Sequence, residues 1–305
     1  MEKEKKKLHE KIWFRILMVL FISICVSVVI LTFYLFNGDV VSKVPKWFEQ
    51  KYYVNTQKIE GRKIFTIKKD KESQTDTTII YIHGGSYMAE LQKEHWTFFE
   101  NLLNDTNITL IVPDYPLTPK YNYKDVFDMM EPFYKEVIKN IKTEKFIVMG
   151  DSAGGGLALA LMQEMGEQQI RMPDKLILIS PWLDTTMQNP EISKVQKKDQ
   201  MLFEPSLKIA GEQYRNVKDN SKEYLANPLY GPMENLCPIV IFTGTYDILN
   251  PDVKILENKL KDAGKQIQVK EYEGAVHDFI LYYFTKENVY LGKEGYMDLL
   301  SEILQ

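Results

Sequence analysis

The stretch of sequence that decides the fold is Gly150-Asp151-Ser152-Ala153-Gly154. An apolar run precedes it, and a run rich in leucine and alanine follows it. This order is typical of a buried strand, a sharp turn and a helix. Such a turn lifts the serine hydroxyl clear of the backbone. The flanking glycines allow it, because a side chain there would collide with the neighbouring strand or helix.

On both sides of this turn, short runs rich in isoleucine and valine alternate with helical patterns. The predicted strands are residues 63–68, 78–82, 108–112, 146–149, 175–179, 239–243 and 267–272. The predicted helices are residues 93–103, 124–141, 155–165, 251–263 and 294–304. Continuous apolar strands suit a parallel sheet that is buried on both faces. The predicted fold class is therefore a three-layer α/β sandwich with a mostly parallel central sheet.

One long segment breaks the alternation of strands and helices. The connection across residues 182–235 is longer than a normal crossover between strands. We interpret it, together with residues 38–58, as a small helical cap over the site. The predicted α/β domain spans residues 37–305.

The N-terminal segment contains an uncharged run, residues 16–36, that is long enough to cross a membrane. As a helix it would measure about 31 Å, against a hydrocarbon core of roughly 30 Å. We therefore predict a basic cytoplasmic segment over residues 1–11 and a transmembrane helix over residues 12–36. Lysines are denser before this run than after it, which places the following domain outside the membrane. The competing interpretations are a cleaved signal peptide and a lipid-modified Cys25.

Composition narrows the classes of partner. The chain carries a formal net charge of −4 and has no basic stripe beyond its first residues, so nucleic acid is not an expected partner. Its cysteines and histidines do not cluster at metal-ligand spacing, and no metal site is predicted. The oligomeric state stays open.

Ser152 needs a base and an orienting acid to act as a nucleophile. His277 is the one histidine that follows Ser152 in the chain, and it lies just after the last predicted strand. Histidine suits the role of base because its ordinary pKa is near neutrality. Asp247 follows another strand and is the candidate acid, whereas Asp278 is expected to point elsewhere. The chain order Ser, Asp, His is that of α/β-hydrolases.

A loop with the sequence His-Gly-Gly-Ser-Tyr follows the predicted strand at residues 78–82. Its two glycines let backbone N–H groups approach a ligand closely. With the N–H of Ala153, those of Gly84 and Gly85 are predicted to bind the oxyanion of an acyl-transfer reaction. Three further side chains are candidates to line the substrate pocket, with packing in the core as an equally good explanation: Tyr87, Trp182 and Leu202.

Taken together, these motifs resemble the hormone-sensitive-lipase-like branch of the α/β-hydrolases. The matching blocks are residues 83–86, 114–119, 150–155, 180–184, 244–249 and 277–279. The resemblance extends from roughly residue 60 to the end of the chain. It implies a cofactor-independent carboxylesterase or lipase that acts on short- to medium-chain acyl esters. It also implies that Ser152, Asp247 and His277 form the triad. The chain departs from the family where Ser86 replaces a third glycine.

Two other functions remain open at this point. An amidase or peptidase would use the same triad, and paired ester and amide substrates would separate it from an esterase. A non-catalytic surface-binding protein on the same fold would leave Ser152 unlabelled by a fluorophosphonate probe.

Overall fold

The computed structural model describes residues 41–216, 222–285 and 291–305, and an eight-stranded sheet forms the centre of this part. The strands are β1 (Tyr53–Ile59), β2 (Arg62–Lys68), β3 (Thr77–Ile82), β4 (Ile108–Pro113), β5 (Lys145–Asp151), β6 (Lys175–Ile179), β7 (Ile239–Gly244) and β8 (Ile267–Tyr272). Their order across the sheet is β1-β2-β4-β3-β5-β6-β7-β8. The β1–β2 and β2–β4 pairs are antiparallel, and the other pairs are parallel. The predicted mostly parallel sheet is confirmed.

The helices of the described residues include the connections between the parallel strands. They are α1 (Lys46–Glu49), α2 (Lys93–Asp105), α3 (Tyr123–Ile138), α4 (Ser152–Glu167), α5 (Ile192–Val195), α6 (Glu204–Tyr214), α7 (Asn250–Asp262), α8 (Phe279–Tyr282) and α9 (Gly292–Leu304). Two short 3₁₀ turns cover Glu223–Leu225 and Pro228–Tyr230.

The central strands are buried because both faces of the sheet are covered. On β3, Ile80 and Ile82 belong to a buried cluster that also contains residues of α3 and α4. Ile79 and Tyr81, which alternate with them, belong to a second cluster with residues of α2 and α9. Successive side chains of a strand point to opposite faces. The apolar runs of the sequence therefore fill two cores, one on each side of the sheet.

The first strand was not predicted from the sequence. Four successive residues of β1 are exposed, because β1 lies at the edge of the sheet and pairs only with β2. Its sequence is therefore polar and lacks the apolar run of a central strand. This corrects the expectation that residues 38–58 join the cap, since residues 53–58 form part of the sheet.

The long connection between β6 and β7 contains α5, α6 and the two 3₁₀ turns. It remains our proposed cap. The predicted basic segment and transmembrane helix, residues 1–36, lie outside the described residues. Within the described ranges, no helix is both long enough and apolar enough to span a bilayer.

The turn between β5 and α4 depends on a close approach to β3. A Cβ atom on Gly154 would overlap the carbonyl oxygens of Ile82 and His83, which are backbone atoms at the end of β3. Such atoms cannot swing aside as a flexible side chain would. The glycine therefore lets the first turn of α4 pack directly against the strand from which the predicted oxyanion loop leaves.

We expect the substitution Gly154→Ala to lower the free energy of unfolding by about 3 kcal/mol, because overpacking against backbone forces β3 and α4 apart. Denaturant unfolding measures this loss. The matched control is Gly264→Asn, since Gly264 has a positive φ that asparagine tolerates and open space around its Cβ position. A Gly154→Ala variant as stable as that control would contradict the close packing.

Candidate active site

Ser152 lies where β5 ends and α4 begins. Its backbone is left-handed, with φ of +50°, and its side chain is almost fully buried. The carbonyl oxygen of Ser152 accepts a hydrogen bond of 2.8 Å from the N–H of Trp182, which follows β6. The N–H of Ala153 lies in the first turn of α4, where no carbonyl of the same helix can accept its hydrogen bond. The nucleophile predicted from the sequence therefore stands on a sharp strand-to-helix turn.

His277 and Asp247 meet beyond the ends of β8 and β7. Nδ1 of His277 lies 2.9 Å from Oδ2 of Asp247, and both side chains are buried. The other carboxylate oxygen, Oδ1 of Asp247, accepts the N–H of Leu249 at 2.9 Å. Two hydrogen bonds thus hold the carboxylate. Because a carboxylate accepts hydrogen bonds, the imidazole carries a proton on Nδ1 and presents Nε2 on its other side.

Asp278 does not point away from the imidazole, contrary to the sequence-based expectation. Its Oδ2 atom lies 3.1 Å from Nε2 of His277. Burial disfavours the charged imidazolium, but the carboxylates of Asp278 and Asp247 outweigh it and raise the pKa of His277 well above its ordinary value. Among the described residues, no hydrogen bond joins the Ser152 hydroxyl to the imidazole.

The loop that contains His277 also contacts the segment that directly follows β6. The N–H of Asp278 donates to Oγ of Ser180, which directly follows β6, at 3.1 Å. The same connection after β6 supplies the Trp182 N–H that binds Ser152. The nucleophile and the histidine loop are therefore attached to one short segment, at the carboxyl edge of the parallel strands. Sites in such sheets collect at this edge.

Asp151 ties the oxyanion loop to the turn that carries Ser152. Its Oδ1 atom accepts hydrogen bonds from the Tyr81 hydroxyl at 2.6 Å and from the N–H of Gly84 at 3.0 Å. The N–H of Gln92 donates to Nδ1 of His95, so the proton of that imidazole is on Nε2, which lies 3.3 Å from Oδ2 of Asp151. Burial disfavours the Asp151 carboxylate, but His95 and Tyr81 outweigh it and lower the pKa of the group.

These contacts correct the predicted role of Gly84. Its N–H donates to a carboxylate of the protein itself, so it is not available to a substrate oxygen. None of the described residues accepts a hydrogen bond from the N–H groups of Gly85 or Ser86. The free donors of the loop therefore begin one residue later than the sequence indicated.

A second set of contacts, made by His83 and Tyr115, also holds the predicted oxyanion loop in place. Nδ1 of His83 donates to the carbonyl oxygen of Gly84 at 2.7 Å, and the imidazole ring stacks on Tyr115 with 4.4 Å between ring centroids. The Tyr115 hydroxyl donates to the carbonyl oxygen of His83 at 2.8 Å. Burial lowers the pKa of His83 to about 4, so this imidazole is neutral at pH 7.

The three candidate pocket residues lie in different surroundings. Tyr87 is fully buried, and its ring stacks on Tyr214 of α6 with 3.6 Å between centroids. Trp182 is also fully buried, and its ring stacks on that of Tyr87 with 5.6 Å between centroids. Leu202 is partly exposed and packs against the same core cluster. Their contact with a substrate stays a prediction.

Sequence reasoning missed the roles of Asp151, His95 and Asp278. Two of them have a signal in the chain, since Asp151 is adjacent to Ser152 and Asp278 is adjacent to His277. The direction of their side chains depends on the backbone of the turns, which the sequence pattern does not specify. Within the described part of the chain, no three histidine, cysteine or acidic residues stand together as metal ligands would.

Comparisons with known proteins identify the family of this chain. Residues 79–281 match the family described as alpha/beta hydrolase fold. An esterase of Acinetobacter venetianus is 30% identical over 205 residues, which cover 67% of this chain and 68% of that protein. An ethyl acetate hydrolase of Pseudomonas putida is 23% identical over 225 residues, covering 72% of this chain and 70% of that protein.

A solved structure shows the same fold. The crystal structure of a hormone-sensitive lipase from a metagenome library superposes with a TM-score of 0.73 at 23% identity, and the match covers 83% of this chain and 87% of that one. The chain therefore belongs to the α/β-hydrolase fold family and is a carboxylic ester hydrolase.

Proposed function

We propose that this protein is a serine carboxylesterase that hydrolyses short- to medium-chain acyl esters through an acyl-enzyme intermediate. The observation that carries the proposal is the buried hydrogen bond between His277 and Asp247, together with a serine held in a left-handed turn where β5 ends. The ethyl acetate hydrolase among its relatives supports a short acyl group.

In the first half of the reaction, Oγ of Ser152 attacks the ester carbonyl carbon while its proton passes to Nε2 of His277. Asp247 keeps the imidazole in the tautomer that can accept this proton, and it stabilises the imidazolium that forms. When the tetrahedral intermediate collapses, the imidazolium gives the proton to the leaving alcohol. In the second half, water repeats these steps on the acyl-enzyme and releases the acid.

The developing oxyanion needs donors that are already in place. We assign this role to the N–H groups of Gly85, Ser86 and Ala153, since Gly84 is bound to Asp151. The N-terminal end of α4 adds the favourable field of its helix dipole. One such donor stabilises the transition state by about 2.7–4 kcal/mol.

The substitution Ser152→Ala is expected to lower kcat/KM for p-nitrophenyl butyrate by roughly 10⁴-fold or more, because no other group can form the acyl-enzyme. Spectrophotometric assays measure the rate, and labelling by a fluorophosphonate should disappear with it. The control is Ser193→Ala, an exposed serine on α5. Residual hydrolysis near the wild-type rate in Ser152→Ala would reject the assignment.

We also propose that residues 12–36 anchor the protein as a single transmembrane helix, with the catalytic domain on the extracytoplasmic side. The uncharged run and the excess of lysines before it support this arrangement.

Fractionation of cells that express the full chain checks the anchor. The protein should stay in the membrane pellet after alkaline carbonate extraction, and protease added to intact cells should cleave the domain. Release of the full chain into the supernatant would be incompatible with a spanning helix. Complete protection from protease would indicate the opposite orientation.

A further inference from the structure

The imidazole of His277 lies between two carboxylates. Asp247 is 2.9 Å from Nδ1, and Asp278 is 3.1 Å from Nε2. Nε2 is the atom that must receive the proton of Ser152 in the reaction proposed above. In this structure the carboxylate of Asp278 therefore lies next to Nε2, where it competes with the Ser152 hydroxyl for hydrogen bonding to that atom.

The backbone explains why Asp278 turns towards the histidine. Asp278 has φ of +50° and ψ of +31°, which is left-handed, and its N–H donates to Ser180. It directly precedes α8, and this backbone bends the chain so that the side chain folds back on its neighbour. Asparagine and aspartate adopt this conformation more readily than most residues.

The Asp278 carboxylate has little else to compensate its charge. The side chain is buried, and its Oδ1 atom has no hydrogen-bond partner. A buried carboxylate without partners is costly, so an adjacent imidazolium is its main source of stabilisation.

Several charged or titratable groups surround this pair. Asp151 and Asp247 act on Asp278 as further negative charges, and burial raises the pKa of Asp278 to about 6, although His277 opposes the shift. Three further titratable groups among the described residues interact electrostatically with Asp278: His95 on α2, Tyr81 on β3 and Tyr282 on α8.

We propose that Asp278 is a positioning residue that holds His277 in a resting state, with the Nε2 proton directed at its carboxylate instead of at Ser152. The inference rests on the proposed function, because it assigns Nε2 as the base. To reach the active state, the imidazolium loses the Nε2 proton to solvent. The freed lone pair then accepts the Ser152 proton as the new bond from Oγ to the acyl carbon forms.

This resting state makes the activity depend on pH in a defined direction. The neutral imidazole is the active base, so kcat/KM falls as the pH decreases through the pKa of His277 in the free enzyme. Asp278 favours the protonated imidazole and therefore moves this fall, the acid limb of the profile, to higher pH. Removing its charge must move the acid limb to lower pH.

The substitution Asp278→Asn tests the proposal with little change of shape. We expect the acid limb of kcat/KM for p-nitrophenyl butyrate to move down by about one pH unit or more, the usual effect of one adjacent charge. The plateau at high pH should stay within a few-fold. Asp278→Glu keeps the negative charge, so its acid limb should stay near the wild-type position. Asp278→Gly is a second neutral variant, and glycine accepts the positive φ of this position.

The control for net charge is Asp262→Asn, an exposed carboxylate at the end of α7. An unchanged acid limb in both neutral variants at position 278, or an equal shift in Asp262→Asn, would overturn the proposal. A shift confined to position 278 would support it, because loss of a merely structural contact lowers activity at every pH.

Nuclear magnetic resonance of ¹⁵N-histidine-labelled protein gives a readout that needs no substrate. The chain has four histidines, and the His277 signals are assigned by their loss in His277→Gln. Titration of these signals should move to lower pH in Asp278→Asn. If Ser152→Ala kept its esterase activity, the proposed function would fail while this titration still tested the resting state. An unshifted titration would overturn the inference even in an active esterase.

Discussion

The left-handed backbone of Ser152 is the constraint on which the rest of the site depends. A non-glycine residue in this conformation costs about 1–2 kcal/mol, and the flanking elements offset that cost. β5 is buried along almost its whole length, and α4 is buried nearly all round, so neither can shift to relax the turn. The buried elements on both sides therefore hold the turn in place.

From this turn, hydrogen bonds reach the other parts of the site. The side chain of Asp151 holds the oxyanion loop through Gly84, and the carbonyl oxygen of Ser152 holds the connection after β6 through Trp182. That connection, through Ser180, holds the loop of the histidine. A displacement of the turn would move the proposed nucleophile, oxyanion donors and base relative to one another. The glycines of the turn, Gly150 and Gly154, have no room for a methyl group, so the turn is closely packed.

The sequence predicted the sheet well where burial leaves a clear pattern. The central strands are apolar runs because both faces are covered, whereas edge strand β1 has a polar sequence and was missed. The meeting of His277 and Asp247 followed from their positions at strand ends. The sequence did not predict the direction of the Asp278 side chain or the hydrogen bond of Gly84. Both depend on left-handed turns and on contacts between segments distant in the chain.

Negative charge is concentrated around the imidazole of His277. Asp247 and Asp278, which lie next to its two nitrogen atoms, are both buried. In such a low-dielectric setting each carboxylate favours the imidazolium, which helps the transition state but hinders formation of the neutral base. In the proposed mechanism, the balance between these two effects sets the pH dependence of the activity, and Asp278, the carboxylate next to Nε2, has the most direct influence on it.

The central claim is that Ser152 attacks an acyl group whose oxyanion is bound by the loop after β3. A crystal structure of the protein after reaction with a p-nitrophenyl alkylphosphonate tests this most directly, because the adduct mimics the tetrahedral intermediate. We expect phosphorus bonded to Oγ of Ser152, with the phosphoryl oxygen about 3 Å from the N–H groups of Gly85 and Ala153, and Gly84 still bound to Asp151. An adduct on another residue, or a phosphoryl oxygen turned away from this loop, would contradict it.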